Sequence, residues 1–266
     1  MNSTPQDPGH GQTRERGPVP ARKFDQPLLD TRDRPLRDLR ISVTDRCNFR
    51  CTYCMPEEGM QWLPRSEVLT FEEIERVARV AVERFDVDGL RLTGGEPTVR
   101  AHLPVLVRKL AALGVDLSMT TNGSTFRHMA HELRDAGLQR VNISLDTLQR
   151  ERFLQMTRRD EFERVLDGVE AAKEAGFAPV KINAVVQRGV NDGELVALAA
   201  YGRDHDVEMR FIEFMPLDAT GHWMSNDVVG QDEIVSTIAA VFPLEPVPAR
   251  GAAPADRWRY LDGRGT

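Results

Sequence analysis

Six short segments in which apolar and polar residues alternate recur along the chain: LRISVT from 39, GLRLT from 89, VDLSMT from 115, VNISLD from 141, VKINAVV from 180 and EMRFIEF from 208. A period of two marks strands with one apolar and one polar face. Leu39, Ile41 and Val43 take one phase and Arg40, Ser42 and Thr44 the other. Leu90 and Leu92 flank Arg91, Leu117 and Met119 flank Ser118, and Val141, Ile143 and Leu145 oppose Asn142 and Ser144. Val180 and Ile182 flank Lys181, with Asn183 in its phase, and Met209 and Phe211 flank Arg210. Between these segments the period lengthens to that of helices. Thr70 and Glu73 form a capping box ahead of a stripe of Phe71, Ile74, Ala78, Ala81 and Phe85. Leu103, Leu106, Leu110 and Leu113 make a second stripe, and Phe162, Val165, Leu166 and Val169 a third. Helices over 126–136 and 161–175 end before Gly137 and Gly176, and 231–242 reads as a helix burying Ile234, Ile238 and Val241.

Strands alternating with helices imply parallel βαβ units. Strands of a parallel sheet covered on both faces read as continuous apolar runs, and these do not. A curled sheet with helices outside and a polar lumen fits them better. Six units predict an α/β fold, an incomplete (β/α)6 TIM-like barrel, with a doubly wound sheet as the rival. The lumen then holds Arg40, Arg91, Lys181 and Arg210. Burying like charges without partners is very costly, so an anionic ligand is expected there. The competing reading is pairing with local carboxylates, for which the phase offers Asp116 and Asp146.

Charge and composition narrow the picture. The 266 residues carry 35 basic and 41 acidic groups, a net charge of −6, with no global reason to expect nucleic acid. No apolar run approaches the roughly 18 residues of a membrane span, and no secretory leader opens the chain, so a cytoplasmic protein is expected. Residues 1–35 read as a flexible tail, 36–243 as the barrel, and 244–266 as the start of a C-terminal region that is cut short. His205 is expected to meet the C-terminal carbonyls of a helix, while His222, Trp223 and Met224 fall in a loop.

All three cysteines fall in Cys47-Asn-Phe-Arg-Cys51-Thr-Tyr-Cys54, a C-x3-C-x2-C spacing just past the first strand. Structural zinc wants four N or S ligands, and no His lies near enough in sequence to complete the set. Three thiolates suit three irons of a [4Fe–4S] cube, leaving the fourth iron free to chelate S-adenosylmethionine. Thr93-Gly94-Gly95-Glu96-Pro97 leaves the second strand, and adjacent glycines there are expected to let a small zwitterion approach the backbone. The Cys loop, GGEP and the SLD at 144–146 all stand at C-terminal strand ends, where barrel enzymes place active sites.

The string LRISVTDRCNFRCTYCMP, with RLTGGEPTVR, TTNG, VNISLD, VKINAVVQRGVND and RFIEFMPL, resembles the GTP 3′,8-cyclase family of molybdenum cofactor (molybdopterin) biosynthesis, within the radical S-adenosylmethionine superfamily. The resemblance runs from about Leu36 to Thr266. It implies a lyase in which Cys47, Cys51 and Cys54 hold the cluster, Tyr53, Gly95, Ser144 and Met215 contact S-adenosylmethionine, and Arg40, Arg91, Thr120 and Lys181 contact GTP. It implies a 5′-deoxyadenosyl radical that takes the C3′ hydrogen of GTP, after which the sugar radical attacks C8. An electron donor such as flavodoxin or ferredoxin, a homodimer and the next enzyme of molybdopterin synthesis are the implied partners. The family carries a second three-cysteine cluster that binds the guanine end, and this chain has no cysteine after Cys54. The expectation is therefore one cluster, and an impaired fragment of a longer protein. The rival readings are another radical enzyme, such as a peptide-modifying maturase, and a cluster-binding piece without chemistry.

Overall fold

The computed structural model describes residues 28–216, 223–248 and 255–266. Most of the expected tail and His222 lie outside them. The six alternating segments form β1 (Asp38–Ser42), β2 (Gly89–Thr93), β3 (Asp116–Thr121), β4 (Arg140–Ser144), β5 (Lys181–Val186) and β6 (Glu208–Glu213). They make one all-parallel sheet in chain order, β1 to β6. Sequential order rules out the doubly wound rival, whose strand order reverses part-way. β1 and β6 stand at opposite edges, as in a barrel that stops short of closure.

The connecting helices are α1 (Phe71–Phe85), α2 (Leu103–Ala111), α3 (Ala130–Asp135), α4 (Arg150–Thr157), α5 (Phe162–Glu174) and α6 (Leu195–His205). The Thr70 hydroxyl accepts from the Glu73 N–H while Glu73 accepts from the Thr70 N–H, so the capping box forms as read. Leu90, Leu92, Leu117, Met119, Val141, Ile143 and Ile182 point outward and are buried under Ile74, Leu106, Leu110, Leu133, Val165 and Val169 of the helices. The apolar strand phase thus makes the core, and the polar phase is left for the lumen.

Several boundaries differ from the sequence reading. The helix expected at 126–136 divides into a 3-10 turn at Phe126–His128 and α3. The helix expected at 231–242 stops earlier, as α7 (Gln231–Ala239); it buries Ile234 and Ile238 but leaves Val241 exposed. His205, the last residue of α6, stacks on Tyr201 at 4.1 Å and sets Nδ1 3.4 Å from Glu170 instead of reaching helix carbonyls. Part of the expected C-terminal region pairs antiparallel as β7 (Leu244–Val247) with β8 (Arg257–Tyr260).

Candidate active site

The cysteine loop leaves β1 and is fastened on two sides. Toward β2, Gly95 donates its N–H to Thr44 O at 2.7 Å and Glu96 donates to Arg46 O at 2.8 Å. Toward α4, Arg50 donates its N–H to Thr157 O at 3.0 Å and Thr52 donates to Met156 O at 2.8 Å. Arginines take up further carbonyls of the loop. Arg50 Nη1 donates to Cys47 O and Phe49 O at 2.7 Å, and Arg159 Nε donates to Asn48 O at 2.9 Å. Cys54 and Met55 both donate to Cys51 O at 3.0 Å, a tight turn that brings the second and third cysteines together.

Burial pushes all three thiols above their ordinary range, Cys51 most of all. The charge of Cys47 and of Cys54 acts further on Cys51 in the same direction, so the three sulfurs share one neighbourhood. Among the described residues no three Cys, His, Asp or Glu side chains converge tightly enough to share one metal ion. A cube asks for a different spacing, one thiolate per iron on three separate irons. Three neighbouring thiols without a fourth ligand fit such a cluster better than zinc.

The glycines of the GGEP turn are also required by packing. A Cβ on Gly94 would fall within contact distance of Thr44 O, and one on Gly95 would strike Arg46 O and Asp45 O. The glycines admit the cysteine loop itself, whatever else approaches them. Glu96 is buried and fully satisfied. One carboxylate oxygen accepts from the Thr98 N–H at 3.0 Å and from the Thr98 and Thr121 hydroxyls at 2.7 Å, and the other accepts from the Asn122 N–H at 2.6 Å. It joins the exit of β2 to that of β3.

A second buried carboxylate joins the cysteine loop to β4 and β5. Tyr53 donates its hydroxyl to Asp146 Oδ2 at 2.6 Å, and Val185 donates its N–H to Oδ1 at 2.8 Å. Burial pushes the Asp146 carboxyl up to about 6, although both hydrogen bonds pull it down. Asn191 holds the same junction by donating Nδ2 to Asp146 O at 2.7 Å and to Val185 O at 2.8 Å.

In the lumen, strand register aligns the polar phase into rows. Arg40 stands opposite Arg91, Arg91 opposite Ser118, and Ser118 opposite Arg140. The next row runs Thr120, Asn142, Lys181 and Glu208, and a third Ser144, Asn183 and Arg210. Arg91 Nε is buried with no hydrogen-bond partner among the described residues. Burial, and then the charge of Arg40, lower the Arg91 pKa. The four cations are not all unpaired, however. Lys181 Nζ lies 2.8 Å from Glu208 Oε1, and Arg210 Nε lies 3.0 Å from the same oxygen. Asp116 pairs with Arg140, and Asp146 serves Tyr53, so neither neutralises the four cations as considered.

Residues 41–201 match the profile of the Radical SAM superfamily. Over 248 residues the chain is 52% identical to the GTP 3′,8-cyclase of Acidothermus cellulolyticus, covering 90% of this chain and 68% of that protein. It is 48% identical over 240 residues to the GTP 3′,8-cyclase of Streptomyces coelicolor, covering 89% of this chain and 70% of that one. The chain belongs to the GTP 3′,8-cyclase family of radical S-adenosylmethionine enzymes. Among solved structures, methylornithine synthase superposes with a TM-score of 0.61 at 17% identity, over 78% of this chain and 63% of that one, a likeness of fold alone. As a radical S-adenosylmethionine enzyme the chain takes a [4Fe–4S] cluster and S-adenosylmethionine.

Within this member of the GTP 3′,8-cyclase family, the positions read from the sequence fall into two groups. Cys47, Cys51, Cys54, Tyr53, Gly95 and Ser144 gather around the C-terminal ends of β1, β2 and β4. Met215, exposed just past β6, stands at the same end of the sheet. Arg40, Arg91, Thr120 and Lys181 are the lumen group, one to a strand on β1, β2, β3 and β5. Trp223 donates Nε1 to Phe214 O at 3.0 Å and Met224 is exposed, so this loop abuts the exit of β6. Sequence reasoning missed Arg140 and Glu208. Both were within reach, because Arg140 shares the phase of Asn142 and Glu208 that of Arg210.

Proposed function

We propose that this chain binds one [4Fe–4S] cluster through Cys47, Cys51 and Cys54 and converts GTP to (8S)-3′,8-cyclo-7,8-dihydroguanosine 5′-triphosphate, the entry step of molybdopterin synthesis. Bound and reduced, the cluster supplies the electron that splits S-adenosylmethionine into methionine and a 5′-deoxyadenosyl radical. The protein's own work is placement and exclusion of water. Tyr53, Gly95, Ser144 and Met215 face S-adenosylmethionine at the strand ends, with the Tyr53 ring fixed by Asp146. Arg40, Arg91, Thr120 and Lys181 hold GTP deeper in the lumen, its triphosphate among the cations. No side chain is assigned as a general base. An external one-electron donor of the flavodoxin or ferredoxin kind completes the system.

The observation that carries this reading is Arg91 Nε, a buried donor without an acceptor among the described residues in a cation-lined lumen. A group left in that state costs stability unless a ligand satisfies it. A peptide substrate, the alternative, gives no reason to line the lumen with cations.

Titration of the purified protein with GTP tests it. Arg91→Ala and Lys181→Ala are each expected to weaken binding by about 1.5–3 kcal/mol, the range for hydrogen bonds to charged groups. Lys109→Ala is expected to leave binding unchanged, since Lys109 pairs with Glu75 on the helical surface at 2.9 Å. Equal losses at all three positions would replace the lumen site with a general effect of surface charge.

A further inference from the structure

The compensation of charge in the lumen is lopsided. On the β1–β2 side, Arg40 makes no ion pair among the described residues and Arg91 Nε makes no hydrogen bond. On the β5–β6 side a single carboxylate oxygen, Glu208 Oε1, accepts from both Lys181 Nζ at 2.8 Å and Arg210 Nε at 3.0 Å. The pair is well shielded, with 12% of the Lys181 side chain and 13% of the Glu208 side chain exposed. Strand register fixes it, since Lys181 and Glu208 are direct partners across β5 and β6. Arg257 of β8 stands 3.7 Å from the other Glu208 oxygen, so a third cation leans on the same carboxylate.

We propose that Glu208 is a built-in counter-anion of the lumen: its carboxylate occupies donors of Lys181 and Arg210 that a polyphosphate seeks, so anion binding is an exchange against Glu208 and only a highly charged anion completes it. This rests on the reading of the lumen as a triphosphate site and adds to it a determinant of charge selectivity. The pairing holds Glu208 ionised. Burial alone would raise its carboxyl, but Lys181 and Arg210 overcome that and hold it below its usual range. A monophosphate or diphosphate brings too little charge to replace a carboxylate already seated at hydrogen-bond distance. A triphosphate brings more, and it also has the unpaired donors on β1 and β2 to enter by.

Calorimetric titration with inorganic triphosphate, GTP and GDP tests the proposal in the wild type, Glu208→Gln, Glu208→Asp and Glu245→Gln. Glu245 pairs with Arg259 at the exposed surface of the β7–β8 hairpin and controls for loss of one negative charge that does not touch Lys181 or Arg210. Glu208→Gln is expected to lower the Kd for inorganic triphosphate about ten-fold and to narrow the gap between GTP and GDP, while Glu245→Gln changes neither. Glu208→Asp, which draws the carboxylate back by one methylene, is expected to fall between, and it decides the matter if the glutamine variant does not fold. Unchanged or weaker triphosphate binding in the folded Glu208 variants overturns the proposal, because Glu208 would then hold the cations for the anion and not against it. A wild type that binds inorganic triphosphate but not GTP defeats the substrate reading instead, with the Glu208 comparison still readable.

Discussion

A short hydrogen bond joins Tyr53 to the buried Asp146 beside the cysteines. Tyr53→Phe removes the hydroxyl that donates to Asp146 Oδ2 and leaves a buried oxygen short of a partner. The expected loss is about 1–3 kcal/mol of unfolding free energy, read by urea denaturation. No measurable loss would mean that water replaces the hydroxyl and that the bond fixes nothing. Residues of this kind were only partly legible in the sequence. The cysteines announce themselves because all three stand within eight residues of the chain. Glu96 does not, because two of its three partners, Thr121 and Asn122, come from a different strand exit. Glu208 opens the sixth alternating segment, but nothing in the sequence shows that it faces Lys181, because that pairing comes from the register of β5 against β6.

At the scale of elements, the exit of β2 lies flush on the cysteine loop, and only residues without a Cβ permit it. Gly95→Ala puts a methyl group against the backbone of Asp45 and Arg46, which cannot rotate away. The expected cost is about 1–3 kcal/mol or more, with a fall in iron uptake as the loop shifts. Gly193→Ala is the matching control, because a Cβ there meets nothing within 4 Å and the backbone is not left-handed. It is expected to be neutral or slightly stabilising in thermal melts, by reducing the freedom of the unfolded chain. Equal melting temperatures for the two variants would contradict the close-packing argument. The strands were legible because alternation is forced wherever one face is packed and the other is wet. α4 was missed, since it has no side-chain cap and buries only Phe153, Met156 and Thr157. The β7–β8 hairpin was missed because its strands are separated by residues 248–256, with no tight-turn signal to join them.

At the scale of the whole molecule, an open six-stranded barrel sets a thiol-rich loop at one end of a cationic lumen, the two parts that reductive cleavage of S-adenosylmethionine and capture of a nucleotide require. With three cysteines in the sequence, anaerobic reconstitution is expected to load about four irons per chain. Eight would require ligands other than thiolates. The six strands and the face that each turns to the lumen are legible in the sequence. The charge balance of that lumen is not, because it depends on which side chains the register brings opposite one another.

Cys47, Cys51 and Cys54 are proposed to hold the cluster that reduces S-adenosylmethionine. The most direct measurement is 5′-deoxyadenosine released by the reconstituted, dithionite-reduced protein, compared with Cys51→Ala treated identically. The expected result is 5′-deoxyadenosine from the wild type, with none above background from the variant. Release by Cys51→Ala at the wild-type rate, or none from a wild type carrying its full four irons, would contradict it.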